Sequence, residues 1–466
     1  MRFPRAFRPA APSDGLRPAW PGFPAASRGG VPAREAPRAR ARLRSEGSPL
    51  YPRGMDRARI ILRPKEDLRL RAGHPWVYDN EIARVEGEPE PGAAVDVFDS
   101  RLQAVGSAFW NPASKIRCRI YSRAPRAADE AFFAEAFGRA LAWRRRFFDP
   151  ERQSLRLVFG EADGVPGLVV DSFVGRPDGG AAGAAPDGPA SRWLSAQFLS
   201  LGVEKRKAEI LAALDKVFPS AGVAERSEAP VRKYEGLPPE SGVVAGTVPP
   251  RIVMEENGLA FGVDILEGQK TGWFLDQRSN RAAAARFAKG RRVLDAFCNA
   301  GGFGLACAAA GAESVLAVDA SAEAVAAVSA NAARNGLGGL VKAEEANAFD
   351  FLRGLERSKE RFGLVVLDPP AFAKNRASVE GAHRGYKDLN LRALKLLEPG
   401  GVLVTCSCSH WFGPERFSSM LEEAARDAGR RLRLVEERTQ DLDHPIVSGY
   451  GESRYLKCMI VEAMER

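Results

Sequence analysis

The sequence predicts an α/β protein that ends in a doubly wound parallel sheet, preceded by a mixed α+β region and a small β-barrel. Three observations carry this. From about Gly290, strands at Arg292–Phe297, Ser314–Asp319, Phe362–Asp368 and Gly401–Ser407 alternate with helices near Gly302–Ala310, Ala322–Asn335, Ala348–Glu356 and Gly381–Leu397, the pattern of an open parallel sheet. The first of these strands runs into a glycine-rich turn, Cys298-Asn299-Ala300-Gly301-Gly302-Phe303-Gly304. Between Arg59 and Arg123 the chain instead carries short strands at close spacing, as small barrels do.

Taken in order, the 466 residues divide into four segments. Residues 1–54 hold eleven arginines against three acids, a surplus of eight within a chain whose net charge is +9. Their Pro/Ala/Gly background shows no sustained apolar period, so a disordered extension is expected. An Arg-rich transit leader is the alternative, but prolines at 4, 9, 12, 18, 21 and 24 spoil an amphipathic helix. The rest of the chain is nearly neutral, so any nucleic-acid surface there must be a local patch. Residues 55–125 carry strands at Arg59–Leu62, Ala94–Phe98, Ala104–Phe109 and Ile116–Tyr121, with a turn-rich stretch around Gly73-His74-Pro75-Trp76. Residues 126–265 mix strands (155–159, 168–171, 193–199) with helices Glu130–Phe148 and Lys205–Phe218, and residues 175–190 read as a low-complexity loop. Residues 266–466 form the doubly wound region, closed by a helix at Pro414–Ala428 and an edge pair, Leu432–Glu437 and Tyr455–Val461. No apolar run reaches the ~18 residues of a membrane span. Six scattered cysteines do not make a disulfide framework, which fits a reducing, cytosolic setting.

Ligands in such sheets bind beyond the carboxyl ends of the strands, so the residues closing each strand carry the function. Asp295 and Phe297 close the first strand, and Gly301 and Gly302 let the following turn approach a ligand closely. Asp295 is suited to an ammonium group. Asp319 closes the second strand, followed by Ala320, and an acid there suits ribose hydroxyls. This turn and acid would serve NAD as well as S-adenosylmethionine, although the glycines do not follow G-x-G-x-x-G. The fourth strand ends in Asp368-Pro369-Pro370-Ala371-Phe372. Paired prolines make a rigid loop with few N–H donors, and Phe372 can stack on a flat base. Asp-Pro-Pro in this position is a signature of methyltransferases acting on nucleic-acid bases.

The fifth strand ends Thr405-Cys406-Ser407-Cys408-Ser409. Alternation puts both cysteines on one face, with Cys408 nearer the carboxyl end. A thiolate there suits methylation of carbon 5 of a pyrimidine, which is a poor nucleophile until a thiol adds at carbon 6. Cys406, Cys118, Cys298, Cys307 and Cys458 read as small packed residues. No Cys/His pair has metal-ligand spacing.

With these residues in view, the chain resembles the PUA-domain class I methyltransferases of the RlmI type, which make 5-methylcytosine in bacterial large-subunit ribosomal RNA. The resemblance runs from about Arg59 to the C-terminus. It includes Gly73-His74-Pro75-Trp76-Val77, Asn111-Pro112-Ala113-Ser114, residues 160–167 and 232–236, residues 270–278, Arg384-Gly385-Tyr386-Lys387-Asp388 and Ser407-Cys408-Ser409. It implies a PUA-like RNA-binding domain and a Rossmann-like class I domain that uses S-adenosylmethionine. Large-subunit ribosomal RNA is the implied partner, in a cytoplasmic protein with no membrane association, and dimerisation through the PUA or middle domain follows by resemblance alone. It further implies that Gln277 and Arg278 line the cofactor pocket, that Asn347 stands where an acid near adenine is usual, and that Asp368 acts in the active site with Cys408. Substrate contacts would come from Pro369, Pro370, Phe372, Tyr386 and Lys387. Ala371 replaces a basic residue common in relatives, and Cys406 an aromatic or hydroxylic one. Methylation of an exocyclic nitrogen, with Cys408 incidental, and an inactive RNA-binding fold are the competing readings.

Overall fold

The computed structural model describes residues 57–179, 189–268 and 271–465. The expected N-terminal extension therefore lies outside the described residues, as do residues 180–188 of the expected loop.

The first sheet has six strands in the order Trp76–Tyr78, Ile116–Ser122, Ala104–Trp110, Ala94–Phe98, Arg59–Leu62, Ile82–Glu86. Its two outermost strands are consecutive in the chain, joined only by the 3-10 turn Asp79–Glu81. A three-residue link cannot span a flat six-stranded sheet, so the sheet curls back on itself around Ile60, Leu62, Val77, Val95, Val97 and Ile120.

The middle sheet places helices Glu130–Arg144 and Lys207–Val217 against each other over one face. The first helix ends at Arg144, before the expected Phe148, and the second begins after a separate turn, Leu201–Glu204. Arg144 is fully buried, its guanidinium donating to both carboxylate oxygens of Asp163 at 2.6 and 2.7 Å. Strand Leu168–Pro177 runs beyond the expected Asp171 and pairs with Ser191–Phe198 and Arg251–Glu256. Gly175 thus belongs to the sheet rather than to the loop. A Cβ there would sit 2.2 Å from the Val253 carbonyl oxygen, so only glycine fits.

The third sheet carries the strands labelled here β1 (Arg292–Ala296), β2 (Ser314–Asp319), β3 (Val341–Glu345), β4 (Phe362–Leu367), β5 (Leu397–Ser407), β6 (Arg431–Arg438) and β7 (Lys457–Met464). Their order is β3-β2-β1-β4-β5-β7-β6, with the first five parallel and β7 antiparallel to both β5 and β6. Helices α1 (Gly302–Ala309), α2 (Ala322–Arg334), α3 (Ala348–Arg357), α4 (Val379–Leu396) and α5 (Pro414–Asp427) complete the layers. The order reverses between β1 and β4, which puts the ligand crevice at their carboxyl ends. One apolar cluster joins Phe173, Trp193, Ile252 and Phe261 of the middle sheet to Cys298, Leu305 and Val328 of this one. That shared core holds the two regions together.

Candidate active site

Local sequence sets the cofactor side. β1 stops at Ala296 because Phe297 and Asn299 take left-handed backbone (φ 64° and 48°), and Gly301 follows at φ 85°. A bulky residue in that region is strained, a state that clusters at ligand sites. The tight turn delivers the Gly304 N–H to Asp295 Oδ2 at 2.8 Å. Asp295 Oδ1 is buried and accepts no hydrogen bond. Burial, partly offset by the Gly304 bond, pushes its carboxyl up to about 7. A buried acceptor left over in this way is suited to a cationic ligand. Asp319 Oδ2 accepts from the Asn299 N–H at 2.9 Å and Oδ1 from the Ser321 N–H at 3.1 Å, which aims the carboxylate at the same crevice. Ala320 beside it is exposed.

Arg281, which the sequence reading missed, lies under the glycine turn. A Cβ on Gly302 would meet its Nε at 2.5 Å, its Nη1 is paired with Glu256 at 2.6 Å, and buried Nε has no acceptor. An orphaned acceptor on Asp295, against Gly304, and an orphaned donor on Arg281, against Gly302, fit the ammonium and carboxylate of an amino-acid moiety such as that of S-adenosylmethionine. Gln277 is buried, accepts from Asn280 Nδ2 at 2.7 Å and also hydrogen-bonds Cys406 beneath the site. Asn347 caps α3, its Oδ1 accepting from Phe349 and Asp350 N–H, so only its amide donor is left for a ligand.

Arg278 departs from expectation. Its guanidinium donates to the Ser154 carbonyl at 2.7 Å, faces Asp443 at 3.4 Å and lies over the Phe148 ring. Through Nη2 it ties the middle region to the β6–β7 connection, while its buried Nη1 has no hydrogen-bond partner. Asp443 is in turn held well below the ordinary carboxylate range by His444 and Arg278, against the effect of its burial.

The target side is assembled from distant segments. Asp368 follows β4 at partial exposure, Pro369 is buried and Pro370 exposed. Phe372 packs on Tyr386 with ring centroids 4.6 Å apart. Tyr386 itself is fully buried, which corrects its expected role as a substrate contact. Its hydroxyl lies 2.9 Å from Ser407 Oγ and 2.8 Å from Ser409 Oγ, and Ser409 Oγ accepts from the Ala373 N–H at 3.1 Å. These bonds pin the residues on both sides of Cys408 and tie them to the Asp-Pro-Pro loop. Lys387, the next residue on α4, also departs from expectation. Its Nζ reaches Glu423 at 3.2 Å and Asp427 at 2.9 Å on α5, away from the crevice.

Of the six cysteines, Cys408 alone is not buried. Burial pushes the thiols of Cys118, Cys298 and Cys307 far above their ordinary range, so none of them supplies a thiolate. Cys406 packs against its cross-strand partner Cys458. Lys457, at the start of β7, is a further residue missed from sequence. It is buried, and its ammonium donates to the Ser409 and Tyr455 carbonyls at 2.6 and 2.9 Å. Away from the crevice, Glu204, Glu225 and Glu240 stand close enough to hold a cation, but the Lys207 ammonium already occupies that position at 2.8, 3.0 and 2.8 Å.

Comparison with known proteins agrees with this architecture. Residues 60–123 match the PUA-like domain family and residues 243–456 the S-adenosylmethionine-dependent methyltransferase family. A ribosomal RNA large subunit methyltransferase I from Tolumonas auensis is 39% identical over 87% of this chain and 99% of its own length. One from Shewanella denitrificans is 40% identical over 86% and 98%. Among solved structures, a SAM-dependent methyltransferase from Streptococcus mutans superposes with TM-score 0.72 at 20% identity, over 87% of this chain and 99% of that one. Another methyltransferase, complexed with SAH, superposes with TM-score 0.73 at 20% identity and the same coverage.

Proposed function

Because the chain belongs to the ribosomal RNA large subunit methyltransferase I family, S-adenosylmethionine-dependent enzymes with a PUA-like domain, we propose that it forms 5-methylcytosine in large-subunit ribosomal RNA through a covalent adduct on Cys408. The observation that carries this reading is the setting of Cys408. It is the one cysteine open to a ligand, and it is held between two anchored serines at the carboxyl end of β5, beside the Asp-Pro-Pro loop.

Bound S-adenosylmethionine supplies a methyl group on a positively charged sulfur. The chain's part is to make carbon 5 nucleophilic. The Cys408 thiolate adds to carbon 6 of cytosine, and the electron pair of the 5,6 double bond moves to carbon 5 and, through carbon 4, toward ring nitrogen 3. Carbon 5 takes the methyl carbon as the donor's carbon–sulfur bond breaks. The carbon 5 proton then passes to a base, the double bond re-forms and the bond to Cys408 breaks, returning the thiolate. Asp368, at the end of β4 next to the pinned Cys408 loop, is our assignment for that base. A planar cytosine would lie against the Pro369-Pro370 loop and Phe372, whose inner face Tyr386 already supports.

The test combines label transfer with trapping. With tritiated S-adenosylmethionine and large-subunit ribosomal RNA, digestion should release labelled 5-methylcytidine. RNA carrying 5-fluorocytidine should stall as a complex that survives denaturation, because fluorine cannot leave as a proton does. Cys408→Ala should bind SAH normally and do neither. Undiminished transfer by Cys408→Ala, or a product methylated on an exocyclic nitrogen, would sink the assignment.

A further inference from the structure

Lys457 has no partner that accounts for it. It is 5% exposed, and among the described residues no carboxylate comes within ion-pair distance of its ammonium. Taking a lone ammonium out of water is costly unless an anion compensates it. Two backbone carbonyls satisfy hydrogen bonds but carry no net charge. Burial accordingly pushes the amine down to about 8, while the Cys408 thiolate pulls it upward and Arg454 presses it further down.

Position makes the anion specific. Lys457 opens β7 directly opposite Ser407 in the β5 register. Its bond to the Ser409 carbonyl fixes the ammonium one residue past Cys408. The groups around this point can be named. Tyr386 on α4 feels the charge of Cys408, Arg454 precedes β7, Asp368 closes β4, and Glu415, Glu422 and Glu437 border the groove outside Lys457. Of these groups, Cys408 is the anion whose charge acts on the Lys457 ammonium, and its thiolate is spent when it adds to carbon 6.

We propose that Lys457 is a positioning residue for the reaction: its buried ammonium, pinned by the Ser409 and Tyr455 carbonyls, is the counter-charge that keeps Cys408 ionised and poised to add to cytosine. The inference rests on the covalent reading of Cys408. Lys457 itself touches neither base nor cofactor. It raises the thiolate fraction before attack and lowers the charge cost when the thiolate is expelled at the end.

The test reads the thiol directly, without RNA. The full chain is alkylated with iodoacetamide across pH 6–10, and modification of Cys408 is followed by mass spectrometry of its peptide. The wild-type midpoint should lie below the ~8.5 of an ordinary thiol. In Lys457→Met it should rise by about one pH unit or more, a tenfold loss of thiolate near neutrality, and Lys457→Arg should recover most of the shift. A purely structural role would leave the midpoint in place while lowering the melting temperature. An unmoved midpoint in a folded, SAH-binding Lys457→Met protein overturns the proposal. Should that variant not fold, linkage supplies the reciprocal measurement. In Cys408→Ser, which removes the thiolate, the Lys457 midpoint for acetylation by acetic anhydride should fall, and an unchanged value overturns the proposal equally. A shifted Cys408 midpoint together with an active Cys408→Ala would leave the ion pair standing and sink the covalent reading, so the two failures are distinguishable.

Discussion

The crevice has two sides that solve opposite electrostatic problems. At the ends of β1 and β2, two carboxylates are aimed at the crevice by backbone N–H groups that follow β1, Gly304 for Asp295 and Asn299 for Asp319. At the ends of β5 and β7, a thiol is braced by hydroxyls and a buried ammonium from Tyr386 and Lys457, residues far off in the chain. The first side is built from one contiguous turn and two strand ends. The second exists only after α4 and β7 have packed on β5. The difference teaches that binding and bond-making can be broken separately here.

The largest effects should show that separation. Asp295→Ala removes a charged acceptor and should weaken SAH binding by about 10- to 100-fold, the worth of a charge-assisted hydrogen bond. Cys408→Ala should lower methyl transfer by more than about a thousand-fold with SAH affinity unchanged. Calorimetric SAH titration beside the tritium assay checks both, and a Cys408→Ala protein that also loses SAH would mean that the two sides are one unit.

Tyr386→Phe tests the brace of the second side alone. It leaves the buried hydroxyls of Ser407 and Ser409 short of a partner, at a cost of about 1–3 kcal/mol. Looser placement of Cys408 should lower transfer by roughly ten-fold. The expected outcome is a lower kcat and a lower denaturation midpoint with SAH binding intact. Equal loss of SAH affinity would show that the brace reaches across β4.

The first side should carry its own pH signature, read in SAH binding. Asp295 is raised to about 7 by burial, above its unfolded value. Its contribution to stability is therefore full below the unfolded carboxyl range, near 4, and is lost as pH rises through 7. A ligand ammonium needs the ionised form, so below pH 7 binding must expel a proton. SAH affinity should fall by up to about tenfold per pH unit below 7 and level off above it. Calorimetry in buffers of different ionisation enthalpy would count the proton, and Asp295→Asn should flatten the profile. A wild-type profile already flat would show that Asp295 does not meet the cation.

What could be read in the sequence follows the same division. Asp295, Asp319, Asp368 and Cys408 each close a patterned strand and Gly301 sits in the turn after the first, so the strand pattern alone brings them to one crevice. β3 escaped because Val-Lys-Ala-Glu-Glu, an edge strand with exposed Lys342 and Glu345, lacks apolar alternation. Lys457 escaped because a lysine after Arg454-Tyr455-Leu456 looks solvated, and its burial comes from Ser409, 48 residues away. Neighbouring residues on a helix point about 100° apart, and that rotation undid two pairs read as single contacts. Gln277 reaches Cys406 while Arg278 turns to Asp443, and Tyr386 faces Ser407 while Lys387 turns to α5.

The smallest effect separates that last pair. Lys387 is paired with Glu423 and Asp427 on the outer surface, and burial plays little part in its raised amine, which follows from its bonds to those two acids. Exposed pairs of this kind contribute little because water and salt screen them. Lys387→Ala should therefore leave transfer, SAH affinity and the melting temperature close to wild type, and the small residual change should vanish at high salt. A lysine that instead met an RNA phosphate would reveal itself differently: its removal would raise the KM for RNA and reduce the slope of RNA affinity against salt by about one. Measuring KM for RNA at two salt concentrations decides between them. The α5 carboxylates already hold the ammonium, so the first outcome is expected.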